Sequence, residues 1–350
     1  MRVGVIAPAW LPVPAPAYGG TEAVVDTLAV GLHAAGHEVL LVCHPDSTCP
    51  VTRASVVPAE DCTRMGRASI ELEHAIGAYE LIRECDVVHD HTLAGPPYAA
   101  RFPGLAVVAT NHMPFTRTMS AIFGAAAPHV GVVAISHSHA SAAPFPLAGV
   151  VHHGIDVTTF PFEGEPGDSV CVLSRMTPDK GVHRAIEIAR RAGVRLLIAA
   201  KMREPREREY FDACIRPELG DDVVYLGELN AADKRKLLSE SAALLNPITW
   251  PEPFGMAMVE AMACGTPVVG CALGAAPEIV QHGLTGFLGN SDDELVAGLA
   301  ALDQIDRRAC RRRVEELFSV ERMIAGYTAI YERKMDETRT CGEQRVHCTP

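Results

Sequence analysis

Lysine is absent from the first 150 residues of this 350-residue chain, a stretch with seven Arg and twelve Asp or Glu. That half lacks the basic patch that holds a protein on anionic lipid. The whole chain has a formal charge of -12, which argues against a nucleic-acid partner, because such binding needs clustered Lys and Arg to displace counterions. Aromatic residues are scarce, at 5%, so the core must be built from Ala, Val, Leu and Ile, which suits helices packed on parallel strands. Eleven scattered Cys, odd in number and without a CxxC pair, fit reduced thiols in a cytoplasm better than a disulfide framework or a zinc site. No run reaches the roughly 18 to 20 apolar residues of a membrane span. The apolar start Met1–Ala7 is too short and unflanked for a signal peptide. A cytoplasmic protein is expected, without integral membrane association and with its oligomeric state open.

Against those absences, 48% of the residues are hydrophobic, and the length exceeds what one core usually supports, so two domains with a cleft are expected. Short Val- and Ile-rich runs alternate with segments of helical period, the pattern of βα units around a parallel sheet. Strands are expected near 2–7, 38–43, 86–89, 105–109 and 131–135, with helices near 21–35, 67–84 and 136–142. After a polar break from Pro161 to Asp168, strands are expected near 170–174, 194–200, 223–226, 242–246, 267–270 and 285–288. Helices near 181–192, 205–216, 231–241, 255–264 and 291–302 lie between them. The division reads as a first domain over 1–158, a second over 159–318, a terminal helix over 319–335 and a frayed polar tail over 336–350.

The strongest motif is WPEPFGMAMVE, from Trp250 to Glu260. Pro253 stops a helix from extending back through Glu252, so Glu252 is expected in a loop and Glu260 inside the helix that follows. A helix beginning at Phe254, Gly255 or Met256 presents backbone N–H groups and a partial positive charge, a seat for phosphate. Glu252 and Glu260 can accept hydrogen bonds from vicinal hydroxyls, one from a hexose and the other from a ribose. Spacing alone fits equally well a capping Glu and a surface helix Glu.

A second motif, SRMTPDKG, follows the first strand of the second half, where open α/β sheets bind ligands, so Arg175 and Lys180 point where a diphosphate would lie. A solvent-exposed loop is the plainer reading. A third, Tyr18-Gly19-Gly20-Thr21-Glu22, opens a helix after the first strand, and its two glycines let backbone amides approach a ligand. It is not a dinucleotide fingerprint, for the turn lacks GxGxxG. The fourth, DVVHDH from Asp86 to His91, ends another strand. Its histidines read as a polar contact to sugar, as a structural pair, or as a metal pair that would still need a third ligand. Lys201, His153-Gly154-Ile155-Asp156 and Gly274 with Pro277-Glu278 are smaller signals. Twelve of the fifteen His precede residue 154. Asn111, His112 and Ser136 follow strands of that half and are, with Thr21 and Glu22, candidates for an acceptor side.

In chain order YGGTE, DVVHDH, HGID, SRMTPDKG, YLGEL, EPFGMAMVEAMACGTPVV and GLTGFL, the motifs resemble family 4 retaining glycosyltransferases of the GT-B fold, from Met1 to about Tyr331. The DVVHDH motif and the Ala-rich composition also resemble the actinobacterial branch that builds oligosaccharide natural products. The family resemblance implies two Rossmann-like domains facing across a cleft, with the C-terminal helix crossing back to the first. It implies that Arg175 and Lys180 bind a donor diphosphate, that Gly19 and Gly20 approach it, and that Lys201 adds to the donor site. Glu252 would contact the transferred sugar, the amides of Phe254, Gly255 and Met256 the sugar or phosphate, and Glu260 the ribose. His91, or else His89, would stand near the C6 side of the sugar. His153 and Ser174 depart from the family's usual Asn and Gly.

The function implied is transfer of a sugar from a nucleoside diphosphate sugar to a soluble hydroxyl acceptor, with retention, with no metal or other cofactor, and with His91, Arg175, Lys180 and Glu252 as the catalytic set. Cations and helix amides would stabilise the departing diphosphate. The acceptor would attack from the same face, its proton passing to the leaving phosphate. The alternatives are a GT-B epimerase or phosphorylase and a non-catalytic sugar-nucleotide-binding protein.

Overall fold

A computed structural model describes residues 1–17, 19–162 and 167–347, so Tyr18 and part of the 161–168 break lie outside the described residues. The chain divides into two compact units, Met1–Gly154 with Val320–Pro350, and Ile155–Ser319. Each is a parallel α/β sheet, as expected.

In the first unit the strands are β1 (Arg2–Ile6), β2 (Glu38–Val42), β3 (Thr52–Ala54), β4 (Val87–Asp90), β5 (Ala106–Thr110), β6 (Gly131–Ala134) and β7 (Gly149–Val150), ordered β3-β2-β1-β4-β5-β6-β7. Every residue of β4, β5 and β6 is buried, which is why β5 and β6 read as near-continuous apolar runs rather than alternating ones. In the second unit β8 (Val170–Arg175), β9 (Leu196–Lys201), β10 (Val223–Gly227), β11 (Ala243–Asn246), β12 (Val268–Cys271) and β13 (Gly286–Gly289) are ordered β10-β9-β8-β11-β12-β13. Both orders reverse direction once, between β1 and β4 and between β8 and β11. Such a switch point opens a crevice at the carboxyl ends of the two central strands. The cores are aliphatic, with Tyr79 and Phe123 among the few large rings.

The C-terminal helix Val320–His347 packs on β5 and on the helix Gly20–Ala34 of the first unit. At Gly31 a Cβ would stand 2.7 Å from Val320 and 2.8 Å from Ile324, so only glycine allows the two helices this approach. The helix corrects the expected end at 335, and the supposedly frayed tail is helical through His347. Its charges pair one turn apart, Lys334 with Glu337 at 3.5 Å and Asp336 with Arg339 at 3.4 Å; such pairs support a polar helix that hydrophobic periodicity does not reveal.

The expected helix over 205–216 is broken into an α-helical turn Pro205–Tyr210, a π-helical turn Phe211–Ile215 and a 3-10 turn Arg216–Glu218. Pro217 has no N–H to donate to a continuing helix. Strands β3 and β7 and the helices Arg117–Ala126 and Arg307–Leu317 were not anticipated. The last has five Arg in eleven residues, which masks its buried stripe of Ala309, Cys310 and Val314. Two of those arginines are structural: Arg307 donates to the carbonyls of Ser239 and Ser241, and Arg313 to those of Glu278 and Ile279.

Candidate active site

Arg175 ends β8, one of the two strands at the switch point of the second sheet, and stands in register with Lys201 at the end of β9 on its other side. Arg175 is 3.5 Å from Asp179. The turn after β8 closes through a 3-10 segment Pro178–Lys180 to Gly181, whose φ of 68° is the left-handed region. A Cβ there would collide with the Pro247 carbonyl, so only glycine lets this turn lie against the chain leaving β11. A hydrogen bond from Thr249 N to Asp179 O at 2.9 Å ties the two loops together.

This closure carries Lys180 to Glu252, with which it forms an ion pair, and sets its ammonium 5.2 Å from the centre of the Trp250 ring. Glu252 is in a loop, and its backbone carbonyl accepts from Ala275 N at 3.0 Å. Gly255, at φ 115°, caps the helix Met256–Ala263, and a Cβ on it would stand 3.7 Å from Glu252 Oε2. Lys180, Glu252 and the start of this helix thus share one place. The Phe254 side chain is buried beside Phe318, with ring centres 5.9 Å apart, so only its backbone is available to a ligand.

Glu260 is buried in the first turns of the helix and pairs with Lys234 at 2.6 Å. Lys201 reaches Glu207 at 3.2 Å and Glu204 at 3.4 Å. Burial pushes the Glu207 carboxyl up, but the amides of Glu204 and Arg203 and the Lys201 ammonium together hold it below its usual range. Sequence reasoning missed Lys234, Glu207 and Trp250 as partners. It also missed that Thr177 Oγ1, Asn246 Nδ2 and Trp250 Nε1 are buried without a protein hydrogen-bond partner. Trp250 heads the strongest motif, which was the available signal.

At the switch point of the first sheet, Gly19 and Gly20 open the helix Gly20–Ala34. A Cβ on Gly19 would stand 2.9 Å from Glu22 Oε2, whereas Gly20 faces open space. Thr21 is half-buried and Glu22 buried, its carboxyl pushed up by desolvation. His89 and His91 leave β4 in very different surroundings. His89 is wholly buried between Tyr331 Oη at 2.6 Å and Thr110 Oγ1 at 2.8 Å. His91 is joined through Nδ1 to His112 Nε2 at 2.8 Å, and its Nε2 is buried with no protein partner. Between them, Asp90 accepts from Tyr79 Oη at 2.9 Å and from Thr92 N and Oγ1 at 2.8 Å. Burial pushes its carboxyl up to about 6.

His112 is half-buried and stacks on His153 at 5.2 Å. Asn111 and Ser136 are wholly buried, Asn111 Oδ1 accepting from Met113 N at 2.9 Å and Ser136 Oγ from His139 N at 2.9 Å. Their side chains thus serve the loop and the cap of the short helix His137–Ser141. Burial first, and neighbouring imidazoles second, hold His89, His91 and His153 far below the usual histidine range and His112 down to about 3. All are neutral near pH 7, and offer hydrogen bonds rather than charge.

Comparison with known proteins fits this arrangement. The family model Glycosyltransferase Family 4 matches residues 18–159, and Glycosyl transferases group 1 matches residues 161–315. The chain is 28% identical over 335 residues to phosphatidyl-myo-inositol mannosyltransferase of Mycolicibacterium smegmatis, covering 86% of this chain and 83% of that protein. It is 32% identical over 119 residues to N-acetyl-alpha-D-glucosaminyl L-malate synthase of Bacillus anthracis, a match covering 32% of this chain and only 30% of the relative. Among solved structures, AviGT4, a glycosyltransferase involved in avilamycin A biosynthesis, superposes with a TM-score of 0.74 at 26% identity, over 96% of this chain and 98% of its own. HepE of Anabaena, in complex with UDP and glucose, superposes at 0.76 and 20% identity, over 95% and 100%, and shows the fold alone. With two family models in tandem and neighbours of one architecture along its length, the chain belongs to the GT4-type glycosyltransferases and has the GT-B fold.

Proposed function

We propose that the protein transfers a sugar from a nucleoside diphosphate sugar to a hydroxyl acceptor, with retention of configuration and without a metal ion. The observation that carries this reading is the Lys180–Glu252 pair beside the N-terminus of the helix Met256–Ala263. A cation, a carboxylate and a helix start then meet at one switch point, the set that a diphosphate, a sugar hydroxyl and the developing phosphate charge require. On binding, the diphosphate takes Lys180 from Glu252 and Arg175 from Asp179. Glu252, released from its cation, accepts hydrogen bonds from the sugar hydroxyls. Glu260, buried and fixed by Lys234, accepts those of the ribose. With Arg175 and Lys180 carrying the leaving-group charge, the acceptor hydroxyl attacks from the face the diphosphate leaves, and the departing phosphate oxygen takes its proton. In the first unit, His91 offers a neutral ring nitrogen to a sugar. The place of AviGT4 in avilamycin A biosynthesis favours a natural-product acceptor.

Thermal-shift measurements with UDP, GDP, ADP and dTDP in EDTA test the donor site. One nucleotide is expected to raise Tm selectively, a ligand at a hundred times its Kd being worth about 2.7 kcal/mol. Binding only after Mg²⁺ is restored would remove the metal-free claim. No binding in either condition would sink the donor reading.

A further inference from the structure

Lys180 has two neighbours of opposite kind. Its ammonium is paired with the Glu252 carboxylate, and it stands 5.2 Å from the centre of the Trp250 ring. The loop that carries both neighbours is tied to the turn of Lys180 at three points. Arg184, in the first turn of the helix Val182–Ala192, donates through Nη1 to the carbonyls of Pro247 at 2.8 Å and Ile248 at 3.3 Å, while its guanidinium is paired with Asp292. Thr249 N donates at 2.9 Å to the carbonyl of Asp179, the residue before Lys180. Gly181, the residue after it, has no Cβ to strike the Pro247 carbonyl. The Trp250 ring packs on the aliphatic core of the second unit. Its Nε1 is buried with no partner among the described residues, although a buried indole N–H ordinarily finds an acceptor. No hydrogen bond of its own therefore sets this ring; packing and the three ties place it beside the ammonium.

We propose that Trp250 is a positioning residue for Lys180, its ring holding the ammonium in place while the partner changes from the Glu252 carboxylate to a diphosphate. The inference rests on the reading of Lys180 as the diphosphate ligand. A lysine head on a flexible four-carbon stem ranges widely, and Glu252 fixes it only for as long as the two remain paired. An incoming diphosphate displaces that carboxylate, so something else must keep the ammonium where the phosphate oxygens arrive. The face of an indole attracts a cation within about 6 Å of its centre through the ring quadrupole and carries no net charge to compete with phosphate. Without the ring, only a fraction of the molecules would present the ammonium in place, and apparent affinity for the diphosphate would fall by that fraction.

The chain has five lysines, at 180, 201, 234, 236 and 334. Full-length protein grown with ε-¹³C-lysine therefore gives five ε-methylene signals in a ¹H–¹³C correlation, that of Lys180 being the one lost in Lys180→Met. Protons over an indole face are moved upfield by its ring current, and the Lys180 signal should be so shifted. It should stay shifted in Glu252→Gln, which removes the carboxylate and leaves the ring, and return to the position of an ordinary lysine in Trp250→Leu. Isothermal titration with UDP, GDP, ADP and dTDP, and with the matching nucleosides, is run in parallel. Trp250→Leu should weaken the preferred diphosphate roughly tenfold, a usual size for a partly desolvated cation–π contact, and change its nucleoside by less than about twofold. Trp250→Phe, which keeps a ring, should recover most of the loss.

An unshifted Lys180 signal in the wild type, a shift lost in folded Glu252→Gln, or a shift kept in folded Trp250→Leu would overturn the proposal. So would a Trp250→Leu protein that binds the diphosphate like the wild type, or a Trp250→Phe protein no better than Trp250→Leu. If the spectra behave as expected while the wild type binds none of the four nucleotides, the ring still positions Lys180 and the donor reading fails instead.

Discussion

Lys180 and Glu252 occupy each other. Their side chains are only 11% and 18% exposed, so removing one strands the other in a poorly solvated place. Lys180→Met is expected to cost about 1–3 kcal/mol of stability, the range for a buried polar group losing its partner, and to weaken nucleotide binding. A double-mutant cycle with Glu252→Gln in urea unfolding measures the coupling. Additive single effects would show that the pair contributes nothing. Nucleotide binding separates the carboxylates. Glu252→Gln should impair sugar transfer more than binding of the free nucleoside diphosphate, while Glu260→Gln, the proposed ribose contact, should weaken both. Equal losses would break this assignment.

At the scale of elements, the helix Met256–Ala263 depends on one residue for its start. Gly255 has φ 115°, and a Cβ there would run into Met258. Gly255→Ala should destabilise the protein by about 1–2 kcal/mol through backbone strain and reduce the Tm rise given by the preferred nucleotide. Gly193→Ala is the control. That glycine ends the helix Val182–Ala192 at φ 67° with nothing within 4 Å of the missing Cβ. It should carry a comparable backbone cost and leave the nucleotide response intact. If both variants respond to nucleotide like the wild type, the helix start is not part of the donor site.

For the molecule as a whole, the buried histidines set the response to acid. Burial lowers the pKa of His89, His91 and His153 well below 6.5, of His112 to about 3 and of His139 to about 4. Below pH 6.5 the unfolded chain therefore binds protons that the folded chain does not, and stability present above 6.5 is lost as the pH falls towards 3. The buried carboxyls of Asp90, Glu22 and Asp26 act in the opposite sense. Their folded pKa values are raised, that of Asp90 from 3.8 to about 6, so their contribution grows as the pH falls through that interval. With His37, His74 and His183 also lowered by burial, eight imidazoles outweigh these three carboxyls. Tm should be level from pH 8 to 7 and fall between 7 and 5; a Tm that holds or rises over that lower interval would refute the balance.

Much of this was legible in the sequence, because a strand buried on both faces must be written as an apolar run and a turn that approaches a neighbouring chain must be written with glycine. Strands β5, β6 and β12, buried along their whole length, were locatable for the first reason, and Gly181 stands at a turn of the second kind. A sequence also records which residue types stand at strand ends, so Arg175, Lys180, Glu252 and His91 were visible as candidates. What it does not record is which strand lies beside which. The pairing of Lys180 with Glu252, of Glu260 with Lys234 and of His91 with His112 joins residues 72, 26 and 21 positions apart, across separate elements that the fold lays side by side. Those pairings are local in space but not in sequence, and for that reason only the tertiary structure decides which charge is neutralised, which carboxylate is buried and which ring nitrogen is left without a protein partner.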